Sequence, residues 1–241
     1  MSDTNTTVAV AAPAAEPKHK RTRGPLNQGY LRKLTNAETI GAAAQDEDYA
    51  SPLSQRDIDK DFVTELLADL DAARNKATEA LQHTTAARSA TAAEAKANSA
   101  LHGALQEVQK AAKQKYARTN RIALGDYFVG KKLNGSRPNL LQTSQTILSK
   151  LAGDKLPGFT PAKIKGLGAL RQGWIDAKVA QTDNTTAART ARAALKTLLK
   201  SIEDRKVAIQ LAADAEWPHS EEENAAIRKE FRLSHRRPFK A

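Results

Sequence analysis

The chain contains no cysteine, few aromatic residues and no long apolar run. The lack of cysteine excludes disulfide bonds, thiolate nucleophiles and zinc-thiolate sites. Phe, Tyr and Trp make up only 5% of the 241 residues, which argues against one thick globular core, because these side chains bury the most surface. No apolar run approaches the roughly 18 residues of a membrane-spanning helix. We therefore expect no membrane span.

Alanine dominates the apolar residues of two long tracts that contain little glycine. Alanine is the best helix former and buries little area, so this composition favours long helices over a compact globule. Apolar residues recur at spacings of three and four through both tracts, as one face of a helix requires. Both tracts have large apolar residues at their ends and alanine and threonine in the middle, so antiparallel folding would pair similar stretches.

These patterns predict an all-α fold, a long antiparallel helical hairpin that resembles a coiled coil. It has an alanine-rich waist, and short helices pack at both of its ends. The predicted long helices cover residues about 51–118 and 161–216, and the predicted short helices cover about 36–44, 138–152 and 221–233.

The N-terminal residues 1–34 are rich in Thr, Ala, Pro and charge and lack helical periodicity. We expect them to form a disordered tail, because they offer little to offset the entropy of ordering. Residues 35–241 are then expected to form a single elongated helical domain. The tail places an acid before its short apolar stretch, whereas a secretory signal needs positive charge first. A cytoplasmic protein is therefore expected.

Positive charge is concentrated in the connection between the two predicted long helices. The whole chain has a formal charge of +11, and residues 109–180 alone carry 14 basic and 3 acidic side chains, a surplus of 11. Five of the 11 aromatic residues lie in the same stretch. Bases interleaved with aromatic rings are typical of surfaces that contact phosphate backbones and stack on nucleobases.

Eight bases of this stretch are candidate contacts for a polyanion, namely Lys110, Lys113, Lys115, Arg118, Arg121, Lys131, Lys132 and Arg137. Three rings are candidate aromatic contacts, namely Tyr116, Tyr127 and Phe128. The alternative is that the rings fill a local helical core while the lysines only solvate it, since an alanine-rich hairpin needs large residues wherever it forms a core. The sequence leaves both interpretations open.

Two near-matches to known site motifs lack an essential feature. The stretch from Gly125 to Lys132 has the spacing of a phosphate-binding P-loop, but Lys132 stands where Ser or Thr is needed and no strand precedes it. Residues 57–61 carry three aspartates, as a calcium loop does at its start, but Phe62 occupies the position that needs glycine. The five histidines show no metal-ligand spacing. We therefore assign no catalytic, cofactor-binding or metal-binding residue.

Four short segments carry a resemblance to known proteins. They are Ala-Glu-Trp-Pro-His at 215–219, Ile-Arg-Lys-Glu-Phe at 227–231, Arg-Pro-Phe at 237–239 and Asp-Tyr-Phe-Val-Gly at 126–130. With them, the chain from about Tyr30 onward resembles alanine-rich helical proteins of bacteria that have no assigned activity. The resemblance implies a family and no site.

The sequence contains no convergent set of polar residues that suggests catalysis. We expect a non-enzymatic helical-hairpin protein without a cofactor, which acts as a spacer, scaffold or self-assembling element. A homodimer or another protein partner bound through the helical seam is the expected assembly, since it would cover an exposed seam. The alternative function is binding of nucleic acid or another polyanion by residues 109–180. An enzyme with a pocket between the tip and the hairpin is a third hypothesis.

Overall fold

The computed structural model describes residues 28–133 and 136–240. Within these ranges the regular secondary structure is helical throughout. The elements are α1 (Gln28–Ala44), α2 (Glu47–Ser54), α3 (Lys60–Tyr116), α4 (Ala123–Asp126), α5 (Arg137–Gly153), α6 (Pro161–Glu216), a 3-10 turn (Glu222–Asn224) and α7 (Ala225–Glu230).

α3 and α6 form the long antiparallel hairpin, and the predicted all-α fold is confirmed. α3 has 57 residues and α6 has 56, so each helix is about 85 Å long at a rise of about 1.5 Å per residue. Hydrogen bonds join Ser201 to Asp69 (2.7 Å), Arg192 to Thr84 (2.6 Å) and Gln181 to Thr91 (2.8 Å). Residue numbers rise along one helix as they fall along the other, which defines the antiparallel register.

Buried apolar side chains form two separate clusters, one at each end of the hairpin. We call the cluster around α1, α2, α7 and the adjoining ends of α3 and α6 the base. The tip comprises the described residues of 109–174, and its core also includes Leu101, Leu105 and Val108. Between them lies the waist, residues 81–100 of α3 and 175–187 of α6, in which no residue is buried. The expected alanine-rich waist is therefore a region without a core.

The first long helix begins later than the sequence predicts. A single helix from about residue 51 is wrong, because α2 ends at Ser54 and α3 begins at Lys60. Asp57 between them has a left-handed backbone (φ 61°), which an α-helix cannot contain. The Asp59 carboxylate accepts a hydrogen bond from the backbone N–H of Phe62 at 2.8 Å. This aspartate thus caps the start of α3, so the acidic residues separate two helices instead of continuing one.

The N-terminal helix also differs from its prediction. The expected helix at 36–44 is the second half of α1, and the expected tail is wrong for residues 28–34, which are helical. Leu34 and Ile40 are buried on the face that packs into the base. Gly41 allows this close approach, since a Cβ there would lie 3.2 Å from the Leu67 side chain. The remainder of the predicted tail, residues 1–27, lies outside the described residues.

The last helix is shorter than predicted, and a buried arginine explains the shape of the segment that follows. Instead of one helix over 221–233, the chain forms the 3-10 turn and the six-residue α7. The fully buried Arg228 guanidinium donates to the Asp214 carboxylate (2.6 Å) and to the carbonyl oxygens of Trp217 (2.5 Å), Ser234 (2.8 Å) and Arg237 (3.2 Å). These acceptors compensate the loss of hydration and hold the chain after α7 against the base.

Aromatic side chains complete the base. The sequence predicts that Trp217, Phe231 and Phe239 fold the terminal segment back onto the hairpin, and all three lie in the base cluster. The Trp217 and Phe231 rings are stacked with centroids 5.4 Å apart, and Tyr49 meets both rings edge-on. These contacts join α2, the end of α6 and α7 in one apolar unit.

Candidate functional site

The tip is built where α3 ends and the chain turns back. Lys113 and Lys115 lie in the last turn of α3, where positive charge complements the carbonyl end of the helix. In the loop that follows α4, Phe128 and Gly130 have left-handed backbones (φ 58° and 82°). The Gln109 side-chain amide donates to the Phe128 carbonyl oxygen at 2.7 Å. This hydrogen bond holds the loop against α3.

A carboxylate lies at the polar centre of the tip. The hydroxyl groups of Tyr127 and Tyr116 donate to the same oxygen of Asp154, at 2.5 Å and 2.8 Å. The two tyrosine rings are stacked with centroids 6.2 Å apart. The Lys115 ammonium lies 3.8 Å from the other Asp154 oxygen and 4.8 Å from the centre of the Tyr116 ring. These groups join α3, α4 and the end of α5.

The protonation of this cluster follows from its hydrogen bonds. The hydrogen bonds from Tyr127 and then Tyr116 hold the pKa of Asp154 below its ordinary value, because they stabilise the charged carboxylate. Burial is the largest cause that raises the pKa of Tyr127, and its hydrogen bond to Asp154 raises it further. Over the neutral pH range Asp154 is therefore a carboxylate and Tyr127 a neutral phenol.

Arg137 joins α5 to both long helices. Its guanidinium forms an ion pair with Glu94 of α3. It also donates to the Trp174 carbonyl oxygen of α6 at 3.2 Å and lies 4.5 Å from the centre of the Trp174 ring. Arg137 was a candidate polyanion contact, and the structure instead places it in the junction between tip and waist.

The three candidate rings belong to the core of the tip. Tyr127 is only 1% exposed, and Tyr116 and Phe128 pack against the same apolar cluster. Phe159 and Trp174 belong to this cluster as well. The structure therefore supports the alternative interpretation for the aromatic residues, in which they fill a local core.

The eight candidate bases fall into two groups. Three have structural contacts, since Lys115 and Arg137 form ion pairs and Lys131 lies 5.8 Å from the centre of the Phe128 ring. The other five are exposed and form no ion pair with any described residue. They are Lys110, Lys113, Arg118, Arg121 and Lys132.

The acids of residues 109–180 are already engaged by neighbouring side chains. Asp126 lies 3.1 Å from the Lys150 ammonium, and Asp176 accepts a hydrogen bond from Gln172 at 2.7 Å. Asp154 accepts from the two tyrosines, as described above. Residues 109–180 contain only these three acids, so the exposed bases of this stretch outnumber its acids, although Glu107 lies one turn before Lys110 on α3. The tip is therefore strongly electropositive on its outside.

A cleft of about 510 Å³ opens where the waist meets the tip. Thr91, Glu94, Asn98 and His102, which share one face of α3, line it together with Arg137, Trp174 and three further residues. The acid and the guanidinium of this cleft are paired with each other. The sequence showed no sign of this cleft, because its residues come from three helices.

Asp154 and Glu94 are the structural site residues that sequence reasoning missed. Asp154 directly follows the end of α5, where an isolated aspartate looks like an ordinary loop residue. Glu94 looks like one of several charged residues on a solvated helix face. Only the folded chain shows that a tyrosine pair and an arginine meet them.

Searches for other kinds of site and for related proteins add no residues. In the described ranges no three His, Cys, Asp or Glu side chains are grouped as metal ligands would be. None of the helices described has an apolar stretch that reaches across a bilayer. Comparison of the chain with models of protein families, with curated proteins and with solved structures finds no match.

Proposed function

We propose that this protein is a non-enzymatic structural element, a helical spacer that associates with a second copy through its waist. The observation that carries the proposal is the separation of the two apolar clusters along a pair of 57- and 56-residue helices. Each end has a core of its own, and the uninterrupted helices set the distance between them. Such an arrangement suits a spacer that holds two binding surfaces at a fixed distance.

The waist supports self-association because its helices are only partly covered. Val179, 53% exposed, projects from α6 where no apolar partner covers it. Alanines such as Ala92 and Ala180 are exposed on both helices. Small side chains let helix axes approach to about 8 Å, so a second hairpin would pack closely and complete a four-helix bundle. A two-fold pair uses the same surface on both copies, which needs no second kind of partner.

Light scattering over a range of concentrations tests the association. We expect a dimer whose dissociation is promoted by Ala92→Glu combined with Ala180→Glu, since these would place four carboxylates in the two-fold interface. The matched control is Ala68→Glu, an exposed alanine of α3 in the base. A wild-type chain that is monomeric at every concentration would remove self-association from the proposal.

Binding of a polyanion by the tip is the second candidate function. The observation that favours it is the set of five exposed bases without ion pairs beside three acids that are already engaged. Retention on immobilised polyphosphate at low salt tests this candidate, with Lys110→Glu and Lys113→Glu expected to weaken retention. If the wild-type tip and the charge-reversed tip are retained equally, this candidate is wrong.

A further inference from the structure

The exposed bases of the tip are not scattered, because three of them meet at the C-terminal end of α3. Lys110 and Lys113 lie on the helix, and Arg118 follows soon after its last residue, Tyr116. Lys110, Lys113 and Arg118 surround a shallow depression whose other lining residues are Gln114 and Ala117. We call these three bases the row.

The chemistry of this row suits phosphate groups. The depression contains no acid and no large apolar side chain, so it offers donors and positive charge without a surface for acyl chains. Arg121, exposed in the loop after α3, extends the positive charge beyond the helix end. Duplex DNA carries one negative charge per about 1.7 Å of its axis, so several phosphates lie within reach of these bases at once.

The burial of the tip's aromatic rings favours double-stranded over single-stranded nucleic acid as a ligand. Proteins that bind single strands stack the bases on exposed aromatic side chains. Here Tyr127 and Trp174 are buried, and Tyr116, Phe128 and Phe159 pack against the same core. The row therefore offers contacts to a backbone and no platform for unpaired bases. A double helix, with its higher charge density and its bases stacked inside, is the better match.

We propose that the C-terminal end of α3 and the loop that follows it bind the sugar-phosphate backbone of double-stranded nucleic acid without reading its sequence. Lys110, Lys113, Arg118 and Arg121 are the phosphate contacts. This inference rests on the second candidate function and is independent of self-association through the waist.

The salt dependence of binding gives the proposal a quantitative form. Four phosphate contacts predict a slope of about −3.6 for the logarithm of the association constant against the logarithm of salt concentration. Affinity should then fall by about 150-fold between 50 mM and 200 mM salt. The loss of one contact should make the slope shallower by about 0.9.

Fluorescence anisotropy with a labelled 20-base-pair duplex and a labelled 20-nucleotide single strand tests the inference on the full chain. The duplex should bind more tightly than the single strand at the same salt concentration. Two duplexes of unrelated sequence should bind equally. Tighter binding of the single strand, or a difference of about tenfold or more between the two duplexes, would overturn the inference.

Three variants separate the proposed row from a general effect of net charge. Lys110→Glu with Lys113→Glu should weaken duplex binding by about tenfold or more, because it replaces two contacts with repulsion. The control is Lys196→Glu with Lys200→Glu, two exposed bases of α6 outside the tip with the same change in charge. Glu107→Lys, which adds a base beside the row, should tighten binding. Equal loss in the control and the tip variant, or no gain from Glu107→Lys, contradicts the assignment of the row.

An anionic membrane is the competing partner, because Ile122 is 89% exposed beside Arg121. Vesicles that contain 30% phosphatidylserine therefore form the second arm, with Ile122→Ser as the diagnostic variant. Duplex binding that is unchanged by Ile122→Ser supports the proposal. Vesicle binding without duplex binding overturns it. Retention on polyphosphate without duplex binding also overturns it, but leaves the second candidate function standing.

Discussion

The polar centres of the base and the tip carry opposite charges. At the base, the buried group is the Arg228 guanidinium, surrounded by a carboxylate and three carbonyl oxygens. At the tip, the corresponding group is the Asp154 carboxylate, which accepts from two tyrosines beside Lys115. The base thus encloses a cation completely, whereas the tip is organised around an anion whose side chain stays 35% exposed, and its unpaired cations lie on the outside. The difference suggests that the base has a structural role and that the outside of the tip is available to a partner.

The largest expected effect concerns the buried cation of the base. Asp214→Ala should destabilise the base by about 3 to 5 kcal/mol, because Arg228 would keep its charge without its carboxylate. Urea unfolding in a Trp174→Phe background, where Trp217 is the only tryptophan, measures this loss by fluorescence. Asp204→Ala, an exposed aspartate of the same helix, is the control and should change stability by about 0.5 kcal/mol or less. Equal effects of the two substitutions would mean that the Arg228 network contributes little.

A smaller effect is expected from removing the anion of the tip. Asp154→Ala leaves the Tyr127 hydroxyl buried without its acceptor, at a cost of about 1 to 3 kcal/mol. The fluorescence of Trp174 should report the change during urea unfolding, while the transition of the base should stay in place. Asp176→Ala is the control, since this exposed carboxylate accepts only from Gln172. A loss seen at the base instead of the tip would refute this prediction.

The contrast between the two ends should also appear in their response to pH. The folded-state pKa of Asp154 is lowered, so its contribution to stability is present above its unfolded pKa of about 3.9 and is lost as pH falls through the lower folded value. The pKa of Tyr127 is raised, so its contribution is present below an unfolded pKa of about 10 and is lost as pH rises through the higher folded value. Trp174 fluorescence should report loosening of the tip at both extremes, and Tyr127→Phe should remove the alkaline part. If the tip of the Tyr127→Phe variant still loosens at alkaline pH, the titration of Tyr127 is not the cause.

Particular residues show how much of this comparison could be predicted from sequence. The periodic apolar residues and the Thr160–Pro161 pair located α6 at its observed bounds, since periodicity and caps act locally. The break between α2 and α3 was missed because Asp57 and Asp59 suit a first helical turn as well as a cap. Arg228 and Asp154 were missed for another reason, because their partners belong to other elements that only the fold brings to them. The concentration of basic residues in 109–180 can be seen in the sequence. Which of these bases form ion pairs depends on the fold.

The smallest expected effect belongs to the waist, which lacks a core. The Gln181 amide donates to the Thr91 hydroxyl at 2.8 Å between exposed side chains, where water competes for the same groups. Gln181→Ala should therefore change the free energy of unfolding by about 0.5 kcal/mol or less. Thermal unfolding of dilute protein measures it, at a concentration where self-association does not contribute. A loss of about 2 kcal/mol or more would show that the waist stabilises the hairpin more than its burial indicates.

The most direct test asks whether the base and the tip unfold independently of each other. Trp217→Phe leaves Trp174 as the only tryptophan, so its fluorescence reports the tip alone. The urea midpoint of this signal is then measured with and without Asp214→Ala at the base. Because the two clusters are joined only through a waist without buried residues, the tip midpoint should stay unchanged while the base loses stability. A tip midpoint that falls together with that of the base would contradict the account.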